Sequence, residues 1–209
     1  MECKICTSTL KHLYQSNEMD LEYYKKRIKY RESIGGKPDL KVYYDKEQGG
    51  HLTAGWGHKL TEAEKQYLKE GDTVSMEQVN KWFEEDIARS LAITETDPWI
   101  KDLPVGYQFV LHDMAYNMGA AKMKGTVPKG FKRFFQNVKQ YSMAETDKDR
   151  DYYSKRAYME LRHKNPYGID GDVDMRGTKY FDDTKGRAVE NARYILNPSM
   201  ELIDFSMYD

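Results

Sequence analysis

At 209 residues and 24.6 kDa the chain is long enough to bury a real core, as one domain or as two closely joined lobes. Hydrophobic residues make up 39% and charged residues 32%, with a mean hydropathy of -0.87, a balance that reads as globular rather than disordered or membrane-embedded. Lys and Arg total 33 against 34 Asp and Glu, so no global field points to nucleic acid or anionic lipid.

Both cysteines lie near the start, in Cys3-Lys4-Ile5-Cys6. One such pair supplies two of the four thiolates of a closed zinc site, so free thiols are expected, with a local disulfide or a metal shared with another chain as alternatives. The absence of a fold-defining staple suits a reducing cytoplasm. The first twenty residues hold no apolar run of a leader, and no window approaches a membrane span. From Asp20 to Tyr30, Leu21, Tyr24 and Ile28 recur at helical spacing, which puts Glu32 at a helix end. Gly35, Gly36 and Pro38 break that helix. Leu40–Tyr44 alternates as a strand, Gly49-Gly50 is a hairpin-type turn, and His51–His58 follows as a second strand.

Beyond this small antiparallel sheet the pattern is helical. Thr61–Glu64 and Ser75–Gln78 both have capping-box spacing, and the second opens a face of Val79, Trp82, Phe83, Ile87 and Leu91. Pro98 and Pro104 bracket a connection, and Phe109–Met118 is a nearly apolar helix suited to the centre of a larger lobe, ended by Gly119. Gly125, Pro128 and Gly130 mark a loop before a helix carrying Phe131, Phe134, Phe135 and Val138. Residues 145–164 read as a helix with a stripe of Tyr152, Tyr153, Tyr158 and Leu161, followed by an irregular segment to Asp182. Asp170, Asp172 and Asp174 lack the Gly and closing Glu of a calcium loop, so no metal is expected there. A last helix, capped by Thr184, presents Ala188, Ala192 and Ile195. The basic-leaning stretches 122–133 and 150–164 read as solvated surface, with contact to an anionic polymer as the alternative.

Hydrolysis of a glycosidic bond needs a proton donor for the leaving oxygen and a second carboxylate that handles water. Glu32 and Asp45 meet that need if the helix end and the first strand come together, although two acids thirteen positions apart prove little alone. Their surroundings add more: Arg31-Glu32, then Leu40–Asp45, then Thr53-Ala54-Gly55-Trp56-Gly57-His58. In this order they resemble the phage-type (T4-type) lysozyme and endolysin family, whose pattern is a Glu at a helix end, a Tyr-x-Asp strand and Thr-x-Gly-x-Gly-His. Trp82–Ile87 and Met114–Gly119 extend the resemblance into the helical part.

That resemblance implies an α+β, lysozyme-like fold, with a small antiparallel sheet lobe, a larger helical lobe and a cleft between them. It implies a single domain over 1–200, with residues 20–70 and 75–200 as the two lobes, 139–183 as an elaboration of the cleft rim or a docking element, and 201–209 as a tail. By the same resemblance Glu32 is the general acid, Asp45 the carboxylate that activates water, and Thr53 the hydroxyl that holds it, in an inverting mechanism. His58 pairs with Asp86 as a structural pin with a charged imidazole, Asn117 lines the cleft, and Arg187 approaches Glu32 from the last helix. Arg187 favours the ionised form of an acid, so its role is orientation or a salt bridge that substrate rearranges. The implied activity is lysozyme: cleavage of the β-1,4 bond between N-acetylmuramic acid and N-acetylglucosamine in peptidoglycan, without metal or cofactor, nucleic acid or membrane insertion. The implied setting is the host cytoplasm until a holin permits release, or else a virion. A non-catalytic wall-binding protein of the same fold is the other class.

This sequence departs from the family pattern by a longer path from Glu32 to Asp45 and a longer turn before Thr53. Asp39 and Glu47 are therefore alternatives for the second carboxylate. Trp56 and Tyr44 are the candidate sugar-stacking faces.

Overall fold

The computed structural model describes residues 19–33, 37–46, 50–169, 171–184 and 186–197; Cys3, Cys6, Glu47, Gly49, Asp170 and the 201–209 tail lie outside them. Helix α1 (Leu21–Arg31) begins at Asp20, whose side chain accepts from the Glu22 and Tyr23 amides at 2.9 and 3.1 Å. Its buried face is Tyr24, Arg27 and Ile28, while Leu21, expected on that face, is exposed. Tyr24 packs edge-on to Phe109, and its hydroxyl bonds Ser90 and the His112 carbonyl. Glu32 is the C-cap, its amide donating to the Ile28 carbonyl at 2.9 Å.

Strands β1 (Asp39–Asp45), β2 (His51–Gly55) and β3 (His58–Lys59) form an antiparallel sheet in that order. The run expected as one strand over His51–His58 folds back at Trp56-Gly57, where Gly57 has φ +78°. Tyr43 lies opposite Thr53, and Thr53 opposite Lys59, so these three form one row across the sheet.

The Thr61–Glu64 capping box forms its hydrogen bonds, but opens only a 3₁₀ turn at Glu64–Gln66. Ser75 caps α2 (Met76–Leu91), accepting from the Gln78 amide at 3.1 Å. Val79, Trp82, Phe83 and Ile87 are buried along α2 as expected. After α3 (Ile93–Thr96) and a 3₁₀ turn at Pro98–Asp102 comes α4 (Val105–Met118), in which every residue from Gly106 to Ala115 is buried. Its polar members have partners: Gln108 donates to the Lys101 and Leu103 carbonyls, and the His112 Nδ1 meets the Ser90 carbonyl at 3.0 Å. Gly119, at φ +84°, ends α4.

Helices α5 (Ala120–Lys124), α6 (Lys132–Met143) and α7 (Asp147–Arg162) follow. On α7 the buried face is Ser154, Ala157, Glu160 and Leu161. The expected tyrosine stripe is thus corrected, since Tyr152 points outward and Tyr153 and Tyr158 only flank the contact. The segment expected to be irregular holds a second antiparallel pair, β4 (His163–Asn165) with β5 (Asp174–Gly177), and α8 (Lys179–Thr184). The Thr184 hydroxyl donates back to the Tyr180 carbonyl at 2.6 Å, so this residue closes α8 rather than capping α9 (Gly186–Leu196). On α9, Ala188, Ala192 and Ile195 are buried as expected. The architecture is a mixed α+β fold, small antiparallel sheets beside a larger helical region. No described helix is long and apolar enough to cross a membrane.

Candidate active site

A cleft of about 570 Å³ opens between the three-stranded sheet and the ends of α1, α2 and α4. The sheet contributes the row Tyr43, Thr53 and Lys59, with Asp45 one alternation beyond Tyr43. Helix α1 contributes Glu32, α2 contributes Asp86 and Arg89, and the last turn of α4 contributes Tyr116 and Asn117. Thus Glu32, Asp45, Thr53, Asp86 and Asn117 line one cavity, despite the lengthened path between the two acids. Asp39 does not line it; its carboxylate accepts from the Lys41 amide at the start of β1.

Thr53 is 2% exposed, and its hydroxyl donates to the His51 carbonyl at 3.4 Å. Neither expected stacking aromatic lines the cleft. Trp56 is buried against Phe83 with the Lys29 ammonium 4.4 Å from its ring, and Tyr44 is on the opposite face of β1 from Tyr43 and Asp45. Tyr43 and Tyr116 take the aromatic positions instead. Burial, and then the charges of Asp45, Asp39 and Glu32, push the Tyr43 phenol up. The Tyr116 hydroxyl donates to the Trp56 carbonyl at 2.7 Å, fixing its ring over the β2–β3 turn.

Glu32 is held from two sides. Arg187, on α9, donates from Nη2 to Glu32 Oε1. On the other side Gly57 approaches so closely that a Cβ there would lie 2.8 Å from Glu32 Oε2. Alanine at Gly57 would both displace the carboxylate and carry the strain of a positive φ. G57A is expected to lower activity on cell walls by about 10-fold or more and to destabilise the fold by about 1–2 kcal/mol. Initial rates and urea unfolding measure the two effects; unchanged rates would remove Gly57 from any part in setting Glu32.

Behind Glu32 lies an ionic layer that periodicity did not reveal. Arg31 contacts Asp113 Oδ1 at 2.6 Å and Glu190 Oε2 at 2.8 Å, Arg27 also pairs with Glu190, and Arg187 Nε lies 3.5 Å from Asp113 Oδ1. The only sequence signals were an acid inside a nearly apolar α4 and an Arg directly before Glu32.

His58 and Asp86 do meet, Nδ1 to Oδ2 at 3.0 Å, and Asp86 also pairs with Arg89. The His58 Nε2 faces Glu64 Oε2 at 3.2 Å, and the ring stacks on Trp82 with centroids 4.5 Å apart. The expected charged imidazole is corrected: burial pushes His58 below its ordinary value by more than Glu64 pulls it up. No residue of 139–183 lines the cleft, so among the described residues that elaboration is not part of its rim. Nor do the described residues hold a group of three or more His, Cys, Asp or Glu side chains placed for a metal.

Two carboxylates lining one cleft, here Glu32 and Asp45, are the pair that most glycosidic hydrolysis uses. The family model for phage lysozyme matches residues 36–147, more than half of the chain. The chain belongs to the phage lysozyme family, which supports the glycoside hydrolase class of activity. No curated protein matches it significantly. The matched span contains Asp45, Thr53, His58, Asp86 and Asn117, whereas Glu32 and Arg187 lie outside it and rest on geometry.

Proposed function

We propose that this chain is an N-acetylmuramidase that hydrolyses the β-1,4 bond between N-acetylmuramic acid and N-acetylglucosamine in bacterial peptidoglycan. The observation that carries this reading is the convergence of Glu32, Asp45 and Thr53 on one cleft, with Glu32 braced by Arg187 and Gly57. Protonated Glu32 gives its proton to the glycosidic oxygen as the bond from that oxygen to the anomeric carbon breaks. Asp45 takes a proton from a water positioned by Thr53, and the resulting hydroxide adds to the anomeric carbon from the opposite face. The product anomer is inverted, a route that needs roughly 6.5–9.5 Å between carboxyl groups to admit the water. Solvent returns the proton from Asp45 to Glu32. Asn117, at the cleft wall, is placed to hold a sugar amide or hydroxyl.

Turbidity loss of purified walls, with mass analysis of the fragments, tests the reading. New reducing N-acetylmuramic acid ends are expected. Anhydro ends would make the enzyme a transglycosylase, and binding without clearing would favour a non-catalytic wall protein. The setting we propose is phage-driven host lysis, in which the chain waits in the host cytoplasm and reaches the wall through a holin, with carriage in a virion as the alternative.

Lys59 and Arg89 add exposed positive charge to the cleft wall, suited to the carboxylates of peptide stems. The double variant K59E/R89E is expected to raise KM on intact walls several-fold while leaving kcat nearly unchanged, and the difference should shrink at high salt. A fall in kcat with KM constant would contradict this binding role.

A further inference from the structure

Asp113 is fully buried in the middle of α4. Its Oδ1 faces Arg31 and Arg187, and its Oδ2 accepts from the Asn191 amide at 2.8 Å. Asn191 donates in turn to the Tyr180 hydroxyl at 2.7 Å, which ties this centre to α8. Among the described residues, the layer behind the cleft therefore matches three arginines, Arg27, Arg31 and Arg187, with three carboxylates, Glu32, Asp113 and Glu190.

That count bears on catalysis. An acid that donates a proton must first hold one, and a protonated Glu32 no longer balances the charge of Arg187. If Glu32 were the sole partner, its protonation would leave a buried guanidinium uncompensated, a heavily penalised state. With Asp113 at the other edge of the guanidinium, Arg187 stays paired in both protonation states of Glu32. The negative charge of Asp113 also disfavours a second anion close by. Both effects act in the same direction.

We propose that Asp113 is a positioning residue that keeps Arg187 paired and in place while Glu32 carries the proton it donates. The inference rests on the reading of Glu32 as the general acid. It is supported by electrostatics in which Arg187 is raised against the opposing effect of its burial by both Asp113 and Glu32, and in which Arg31 and Arg187 hold the Asp113 carboxyl down despite its complete burial. The groups facing Glu32 are Arg187 from α9, the Gly57 turn, the Tyr43 and Tyr116 rings from β1 and α4, and across the cleft the Asp45 carboxylate of β1, which does not touch Arg187. Neither phenol is anionic at neutral pH, so Asp113 is the charge that divides the grip of Arg187 with Glu32.

Asp113→Asn keeps the shape and removes the charge. In D113N the alkaline limb of the pH–rate profile for wall clearing should move down by about one pH unit, with about 10-fold lower activity on that limb. The carbon-13 resonance of the Glu32 carboxyl, assigned with E32Q, should titrate at correspondingly lower pH, a readout that needs no activity. D113N takes one of two carboxylates from Arg31 and leaves it Glu190; the double variant R31Q/D113N removes one cation with one anion and should recover stability while keeping the shift. Reduced activity with an unchanged profile, or a Glu32 resonance that titrates at one pH in all folded variants, would overturn the proposal. A wild-type chain that fails to clear walls, or an E32Q that clears them fully, would instead sink the acid assignment and leave the resonance shift to decide the role of Asp113.

Discussion

Glu32→Gln is expected to cut wall clearing by about 10³-fold or more while leaving a folded protein, because glutamine keeps an oxygen for Arg187 and loses only the transferable proton. Asp113 remains beside Arg187, so the guanidinium does not lose every carboxylate in this variant. Asp45→Asn should cost about 10²–10³-fold through the water rather than the leaving group. The two groups act on one displacement, so E32Q/D45N should be little slower than the worse single variant. Initial rates of turbidity loss across the four proteins, with thermal melts as the control for folding, give the cycle. Additive losses would mean that Glu32 and Asp45 serve separate steps, and an E32Q retaining a tenth of wild-type activity would eliminate Glu32 as the proton donor.

The contrast between these variants also tests the longer path between the two acids. The extra residues after Glu32 leave open whether Asp45, Asp39 or Glu47 completes the pair when only spacing is available. Sheet register narrows this: alternation along β1 puts Tyr43 and Asp45 on the face shared with Thr53, and the cleft excludes Asp39. The helix end and the hairpin were legible because each depends on local pattern, whereas the His58–Asp86 contact was implied only by the family resemblance. The charged face of α1 was not. Arg27 and Arg31 look like ordinary solvated helix charges, and only the return of α9 with Glu190, and the single Asp in α4, makes them internal. Long-range charge pairing leaves no periodic trace. The β4–β5 ribbon escaped for a related reason, since its strands are short, polar and separated by turn residues.

Glu64 shows how one residue read for a local role acquires a tertiary one, and its removal is expected to give a large stability loss. The Thr61–Glu64 spacing announced a capping box, and the box forms, with Thr61 donating from its amide and hydroxyl to Glu64 Oε2 at 2.7 Å each. The same carboxylate also faces His58 and accepts from the Trp82 indole at 2.5 Å, joining β3 to α2 beside the cleft. Glu64→Ala leaves these donors without their acceptor and should cost about 2–3 kcal/mol, a fall in Tm of roughly 4–12 °C. Hydrogen bonds from Thr61 and His58 outweigh the opposing effect of burial and hold the Glu64 carboxyl at about 2, below its ordinary 4.5. A depressed carboxyl contributes stability that is present above the ordinary value and is lost as pH falls from about 4.5 through about 2. Glu64→Gln removes that ionisation, so the stability gap between wild type and E64Q should narrow steadily as pH falls from about 4.5 toward about 2. Urea unfolding of both proteins at pH 6, 4 and 3 measures the gap, and a gap of equal size at pH 6 and pH 3 would mean that the charge of Glu64 contributes nothing to the pin.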